Sequence, residues 1–362
     1  MAVTRKPPSC PYARSVSAAD SSLVAGVDLG GTKIETVVVQ AQQVVGSARL
    51  PTPQTGAEDI VRTIEESVRS ALQSAGATVE ALGGVGVGSP GVIGTDGSVG
   101  DARNVPGFDA APKPLGPDLS RALGGVTVVV DNDVRVAVRG EWKRGAGRPF
   151  ESFMGVFAGT GVGGGLVIGG RLITGRGATG EIGHTLVKDG GRTCSCGQKG
   201  HLEAYLGRGR MEAHARRLRE KGKKTDLFHL MRKRGRDRVT SGVIEAALDR
   251  KDRMTEKLIE DAVWAAGIAL ANAQNLLDLE AFVIEGGLGD RLGAAFVERI
   301  RKAAAPRLFV SSRPPKFLTT ELGDLSGAVG AAMLAEGALP AAARTPRPAR
   351  GHRTTRAAGA AR

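Results

Sequence analysis

Hydrophobic residues along this chain fall into short Val/Ile/Leu runs that stop at glycines, and their spacing changes from one run to the next. The stretch "LVAGVDLGGTKIETVVVQ", from Leu23, predicts an apolar strand, a glycine turn and a second strand, which is a hairpin. Between about 57 and 75, Ile60, Val61, Ile64, Val68, Ala71 and Leu72 recur at helical spacing and predict an amphipathic helix. "GVGVGSPGVIG" predicts a buried strand ending in a loop, and "VTVVVDND" predicts another buried strand. "DVRVAVRGEWKRG" predicts a helix that opens at Asp133. "FMGVFAGTGVGGGLVIGGRLI" then repeats the strand, glycine turn, strand theme, with Gly155, Val156, Gly159 and Thr160 echoing Gly26, Val27, Gly30 and Gly31. The chain reads as internally duplicated. A mostly helical stretch follows over about 208–277, "AFVIEGGLGDRLG" returns to strand and glycine turn, and "SGAVGAAMLA" predicts a closing helix.

A chain of 362 residues, 41% of them hydrophobic, suffices for two domains with sizeable cores. Its 53 glycines have no collagen period and sit between the apolar runs, as in the tight connections of an α/β protein. No apolar run approaches the roughly 20 residues that span a bilayer, and the first residues lack the apolar segment of a leader. These features predict a cytoplasmic protein. Three cysteines, two of them in Cys194-x-Cys196, make no disulfide framework, which agrees with a reducing compartment; Cys10 reads as incidental.

The formal charge of +13 is unevenly distributed. From Ala343 the chain carries six Arg and no acid in a Pro/Ala/Gly context that builds no core, so 341–362 is read as a disordered basic tail. Residues 1–22 are likewise read as a disordered tail. Over 208–260, "ARRLREKGKK" and "MRKRGRDR" are interleaved with acids at helical spacing and lack aromatics that would stack bases. They read as solvated helix faces, with attraction to polyphosphate or a DNA backbone as the other reading, and no specific nucleic-acid partner is expected.

Glycine turns let backbone N–H groups approach phosphate oxygens and, through φ > 0, form anion-binding concavities. One such turn alone is equally a plain hairpin turn; three of them with Asp28 at a strand end, where a carboxylate can hold Mg²⁺ directly or through water, favour phosphate chemistry. "GTGVGGG" fits the dinucleotide fingerprint, with Glu181 about 20 residues beyond Gly161. That reading fails because the glycines lead into a strand rather than a helix N-terminus. No P-loop motif occurs. The other concentration of chemistry is "GEIGHTLVKDGGRTCSCGQKGHLEAY", which places His184, Cys194, Cys196 and His201 within eighteen residues of a chain with five histidines and three cysteines. With Glu181 and Glu203 flanking it, this stretch is a metal site, a catalytic site, or a metal site that shapes a catalytic one.

Taken together and in order, "VDLGGTK", "GSPGVI", "DNDVRVAVRGE", "AGTGVGGGLVIGG", "GEIGH", "CSCGQKGHLE" and "IEGGLG" resemble the ROK family of repressors, open-reading-frame products and kinases, over about 23–337 and most of all its bacterial glucokinase branch. The resemblance implies an α/β, actin-like ATPase (ribonuclease H-like) fold of two domains with a central cleft. Residues 23–133 with 324–340 would form the small domain, and 134–323 the large domain with its zinc loop and helical segment. It also implies transfer of the ATP γ-phosphate to a sugar 6-hydroxyl. Glucose is the first choice; N-acetylmannosamine, N-acetylglucosamine, fructose and allose are the alternatives.

By the same resemblance Asp133 is the catalytic base, Asn132 and Glu181 bind sugar hydroxyls, and Gly91, His184 and Glu203 complete the sugar site. ATP and Mg²⁺ fall to Asp28, Gly30, Gly31, Thr32, Lys33, Gly159, Thr160, Gly161, Gly286 and Gly287. The family binds structural Zn²⁺ through one His and three Cys here; His184, Cys194 and Cys196 match, and His201 stands at the third cysteine's position. A homo-oligomer, dimer or tetramer, is implied by resemblance only. Two plainer readings stay beside these: Asp133 as an ordinary helix N-cap, and His201 as a cap of the following helix with the metal weak or absent.

Two other classes of function remain. A repressor of this family carries a helix-turn-helix before its sugar-binding domains; the 22 or so Pro/Ser-rich residues before Leu23 leave no room for one. A non-enzymatic sugar sensor would leave Asp28, the glycine turns and Asp133 without a use.

Overall fold

The computed structural model describes residues 23–102, 105–176 and 178–338; Cys10, the arginine-rich tail and the last two residues of the expected small domain lie outside them. The first half of the chain builds a five-stranded sheet from β1 (Leu23–Leu29), β2 (Lys33–Gln40), β3 (Gln43–Pro51), β4 (Leu82–Ser89) and β7 (Val128–Asn132). The strand order is β3-β2-β1-β4-β7. The predicted hairpin is present: β1 pairs antiparallel with β2, Leu29 opposite Ile34, and β2 with β3, while β1, β4 and β7 run parallel. A small hairpin of β5 (Val92–Ile93) and β6 (Val99–Gly100) stands apart.

Helix α1 (Ala57–Ser74) buries Ile60, Ile64, Val68, Ala71 and Leu72, the face its spacing predicts, with Val61 at the edge of that face. Helix α2 (Leu115–Ala122) adds Leu115 and Leu119 to the same core. Strand β7 differs from expectation. Only Val130 along it is fully buried, because β7 forms the edge of the sheet.

The second half repeats the plan. After α3 (Asp133–Arg144) come β8 (Phe153–Ala158), β9 (Val162–Ile168) and β10 (Arg171–Ile173), then α4 (Glu203–Leu206), α5 (Arg208–Glu220), α6 (Leu227–Lys233), α7 (Ser241–Asp249) and α8 (Arg253–Leu277). Strand β11 (Ala281–Glu285), α9 (Gly286–Ala304), β12 (Lys316–Thr319) and α10 (Ser326–Ala338) complete the fold. The sheet order is β10-β9-β8-β11-β12, with β8 and β9 antiparallel and β8, β11 and β12 parallel. Ala158 faces Val162 across the second turn as Leu29 faces Ile34 across the first, so the duplication read from the glycines is a duplication of topology. The third glycine turn differs: it opens directly into helix α9.

Two crossings join the halves. Helix α3 leaves β7 and packs on β8 and β9, while α10 leaves the second sheet and packs on β1 and β4. Glycine lets the backbones meet there. A Cβ at Gly26 would fall 2.0 Å from the Ala328 carbonyl, and one at Gly330 would fall 1.6 Å from that of Val136. Separate apolar cores lie in each half, one around Phe108 and Ile64, the other around Phe228, Leu258 and Phe282. Arg217, Arg219 and 232–238 are exposed, so the basic runs form solvated surfaces. Among the described residues no helix is long and apolar enough to cross a membrane.

Candidate active site

The first turn is tied down by its own backbone. Gly30 N–H donates to the Lys33 carbonyl at 2.9 Å, Thr52 Oγ1 donates to the Gly30 carbonyl at 2.6 Å, and Gln54 Nε2 to that of Gly31 at 3.3 Å. Thr32 accepts through its carbonyl from the Thr52 N–H. Neither Gly30 nor Gly31 has φ > 0, and neither do Gly159 and Gly161; of the glycines assigned to phosphate only Gly286 does, at φ 80°. The concavity expected from left-handed backbone is therefore absent from the two hairpin turns. What glycine supplies there is the missing Cβ: one at Gly159 would find its nearest neighbour 3.8 Å away. Lys33 is held by Glu35 at 3.5 Å and Asp324 at 3.6 Å.

Asp28, one residue before the end of β1, lies against the start of α10, where a Cβ at Gly327 would be 2.7 Å from its Cγ. Burial, and then the charge of Asp133, raises its pKa from 3.8 to about 7. Asp133 is where β7 becomes α3. The cap of that helix is Asn132, whose Oδ1 accepts from Val134 N–H at 3.1 Å and Arg135 N–H at 3.3 Å. Asp133 is thus the first helical residue and not the cap. Its Oδ1 accepts from its neighbour Val134 N–H at 2.9 Å. Burial raises its pKa to about 6, with the Glu181 carboxylate adding and the backbone N–H groups and Arg135 opposing. Asp133 thus acts on Asp28, and Glu181 on Asp133, so carboxylates from three separate segments come together at the junction of the halves. Gly91, at φ 95°, lies two residues past Ser89, which pairs with Asn132.

The second turn is held by the chain just after the Cys/His loop. Arg208 and Gly209 N–H donate to the carbonyls of Gly159 and Thr160 at 3.1 and 3.0 Å. Glu203 Oε2 accepts from Val162 N–H at 3.1 Å, and a Cβ at Gly161 would fall 2.6 Å from that oxygen. Glu203 Oε1 takes Cys194 Sγ–H at 3.2 Å and the Ser195 hydroxyl. Glu203 is thus buried, with both oxygens engaged between loop and hairpin. Gly286 packs 3.1 Å (as a Cβ would) from the Ala158 backbone, bringing the third turn beside the second.

His184, Cys194, Cys196 and His201 offer four donor atoms within 4.8 Å of one another. His184 Nδ1 is 3.6 Å from Cys194 Sγ, and His201 Nδ1 is 3.4 Å from Cys196 Sγ. Tetrahedral Zn²⁺, with bonds of about 2.0 Å to nitrogen and 2.3 Å to sulfur, puts such pairs about 3.6 Å apart, so the donor set fits. No side chain caps α4, and the His201 ring sits in the cluster. The helix-cap reading of His201 is corrected. His184 turns Nε2 toward Glu181 Oε2, at 3.9 Å, so one ring links the cluster to the acidic junction.

Sequence reasoning passed over Arg208, which bonds Thr160 and Ser241, because it sits in a run of surface basic residues. It also passed over Gly327, whose lack of a Cβ admits Asp28.

The family model described as the ROK family matches residues 24–338. The chain is 30% identical over 318 residues to a glucokinase of Streptomyces coelicolor, covering 86% of this chain and 97% of that protein. It is 31% identical to an N-acetyl-D-glucosamine kinase of Escherichia coli, over 85% of this chain and 98% of that one. Among solved structures, a ROK family glucokinase from Streptomyces griseus in complex with glucose and AMPPNP superposes with a TM-score of 0.73 at 30% identity, covering 87% of this chain and 99% of that one. The fold is the two-domain actin-like ATPase fold of these kinases, and the chain belongs to the ROK family.

Proposed function

We propose that the chain is an ATP-dependent hexose kinase that phosphorylates the 6-hydroxyl of glucose. The observation that carries this reading is the meeting of Asp133, its pKa raised to about 6, with Glu181 and Asp28 between two duplicated halves that each present a glycine turn. We divide the domains at Asp133, with α10 returning to the first. Asp133 accepts the proton of the 6-hydroxyl as its oxygen bonds to the γ-phosphorus, and the bond from that phosphorus to the bridging oxygen breaks, its electron pair leaving with ADP. Asn132 keeps its amide N–H free to donate, because its oxygen caps α3. Glu181 accepts from sugar hydroxyls, Gly91 gives room beside them, and His184 and Glu203 hold the sugar side from behind. Gly30, Gly31, Thr32 and Lys33 on one domain and Gly159, Thr160, Gly161, Gly286 and Gly287 on the other receive the nucleotide. Asp28 would hold Mg²⁺, which would supply neutralisation of phosphate charge. His184, Cys194, Cys196 and His201 would hold structural Zn²⁺, which would tie the loop that carries Glu181 and Glu203.

The test is coupled ADP release with MgATP across glucose, N-acetylglucosamine, N-acetylmannosamine, fructose and allose, with polyphosphate as a second donor. Glucose should be best or near-best, and ATP the better donor. Fastest turnover with an acetylated hexosamine would move the substrate, in keeping with relatives such as the Escherichia coli kinase. Sugar binding without ADP release would leave a sensor instead.

A further inference from the structure

Arg208 opens α5 at the point where the second and third glycine turns meet. Its Nη1 donates to Ser241 Oγ at 2.9 Å and its Nη2 to Thr160 Oγ1 at 3.1 Å. A Cβ at Gly287 would lie 2.6 Å from Nη1, so the guanidinium rests on the third turn. Among the described residues no carboxylate forms an ion pair with it. Burial alone pulls its pKa below the ordinary range, with no acid offsetting the loss. The contrast is Lys33 at the first turn, which Glu35 and Asp324 already neutralise.

Two neutral hydroxyls are poor compensation for a half-buried guanidinium, whereas a phosphate group matches its planar fork with two charge-assisted bonds. We propose that Arg208 is the phosphate receptor of the nucleotide site: it exchanges the Thr160 and Ser241 hydroxyls for oxygens of a nucleoside triphosphate's phosphate chain. This rests on the reading of the cleft as an ATP site. It also gives the second turn a cation that its own residues lack, since Gly159, Thr160 and Gly161 carry no charge. The guanidinium binds and positions; no bond to it forms or breaks.

Calorimetric titration of the full chain with MgATP, MgADP, adenosine and glucose separates this role from a structural one. Arg208→Gln should weaken MgATP and MgADP roughly 10- to 100-fold, the usual worth of hydrogen bonds to a charged group, and leave adenosine and glucose affinities within about twofold. Arg208→Lys keeps the charge without the fork and should fall between. Equal weakening of adenosine and glucose, or MgATP binding by Arg208→Gln as tight as in the parent, overturns the inference while leaving the kinase reading intact. If Arg208→Gln does not fold, Arg208→Lys decides: MgATP affinity equal to the parent's overturns it. A parent that binds no MgATP overturns both readings.

Discussion

At Asp133 two influences oppose each other. Burial and the Glu181 carboxylate favour the neutral acid, while the Val134 N–H and the start of α3 favour the anion, and the balance is a pKa near 6. A base with that value is ionised at neutral pH yet still takes a proton readily, which suits it to receive one from an alcohol as phosphoryl transfer proceeds. Asp133→Asn keeps the shape and removes the acceptor. Its kcat should fall by roughly 10² or more with glucose affinity largely kept, measured by steady-state turnover and sugar titration. In the parent at saturating MgATP, where Mg²⁺ would keep Asp28 ionised, log kcat/KM for glucose should fall with unit slope as pH drops below about 6. Near-parental turnover in the variant, or a flat profile, would return Asp133 to a purely structural role. The residue was legible in "VVVDND", but its place was not: only the backbone shows that Asn132 takes the cap and leaves Asp133 one step inside.

On the scale of an element, the loop from Glu181 to Glu203 has no long helix or strand; backbone bonds such as Val187 N–H to the Gly200 carbonyl and Leu202 N–H to that of Thr185 fold it back on itself, and Ile182, Val187, Cys194 and Leu202 anchor it in the core. The gathering of four soft donors was legible from composition because they crowd one stretch. The placement of His201 against Cys196, and of Glu203 under Val162, depends on how the chain turns between them, which local spacing does not encode. The purified protein should carry close to one zinc per chain by elemental analysis. His201→Cys should retain it and His201→Ala should loosen it, since thiolate and imidazole both suit tetrahedral Zn²⁺. Metal loss should raise the KM for sugar more than that for ATP, because Glu181 and His184 lie in this loop, whereas of the two hairpin turns only the second touches it, through Glu203. Full zinc content in His201→Ala would remove His201 from the ligand set.

For the whole molecule, the duplicated glycine pattern announced two related halves, yet how they join was not legible. The joint depends on α3 and α10 crossing at Gly330 and Val136, residues far apart in sequence whose backbones touch. The same joint gathers acids. Asp28 has a pKa of about 7, Asp133 and Asp290 each about 6, and Glu285 is raised well above its ordinary value, in every case chiefly through burial and then through a neighbouring carboxylate. Each binds its proton more tightly folded than unfolded. The stability this contributes is complete below about pH 4 and is lost as pH rises toward 7, the window between the ordinary Asp value of 3.8 and the folded value of Asp28. The melting temperature should therefore fall from about pH 5 to pH 7.5 by more than in Asp28→Asn, which removes one of these contributions and should itself melt higher at pH 7.5. On the proposed function, Mg²⁺ bound with a nucleotide would supply positive charge to Asp28, so its stabilising shift should be larger at pH 7.5 than at pH 5.5. Scanning calorimetry at the two pH values, with and without MgADP, reads both effects. A melting temperature that is independent of pH, or unchanged in its pH dependence by Asp28→Asn, would show that the buried acids do not govern the joint.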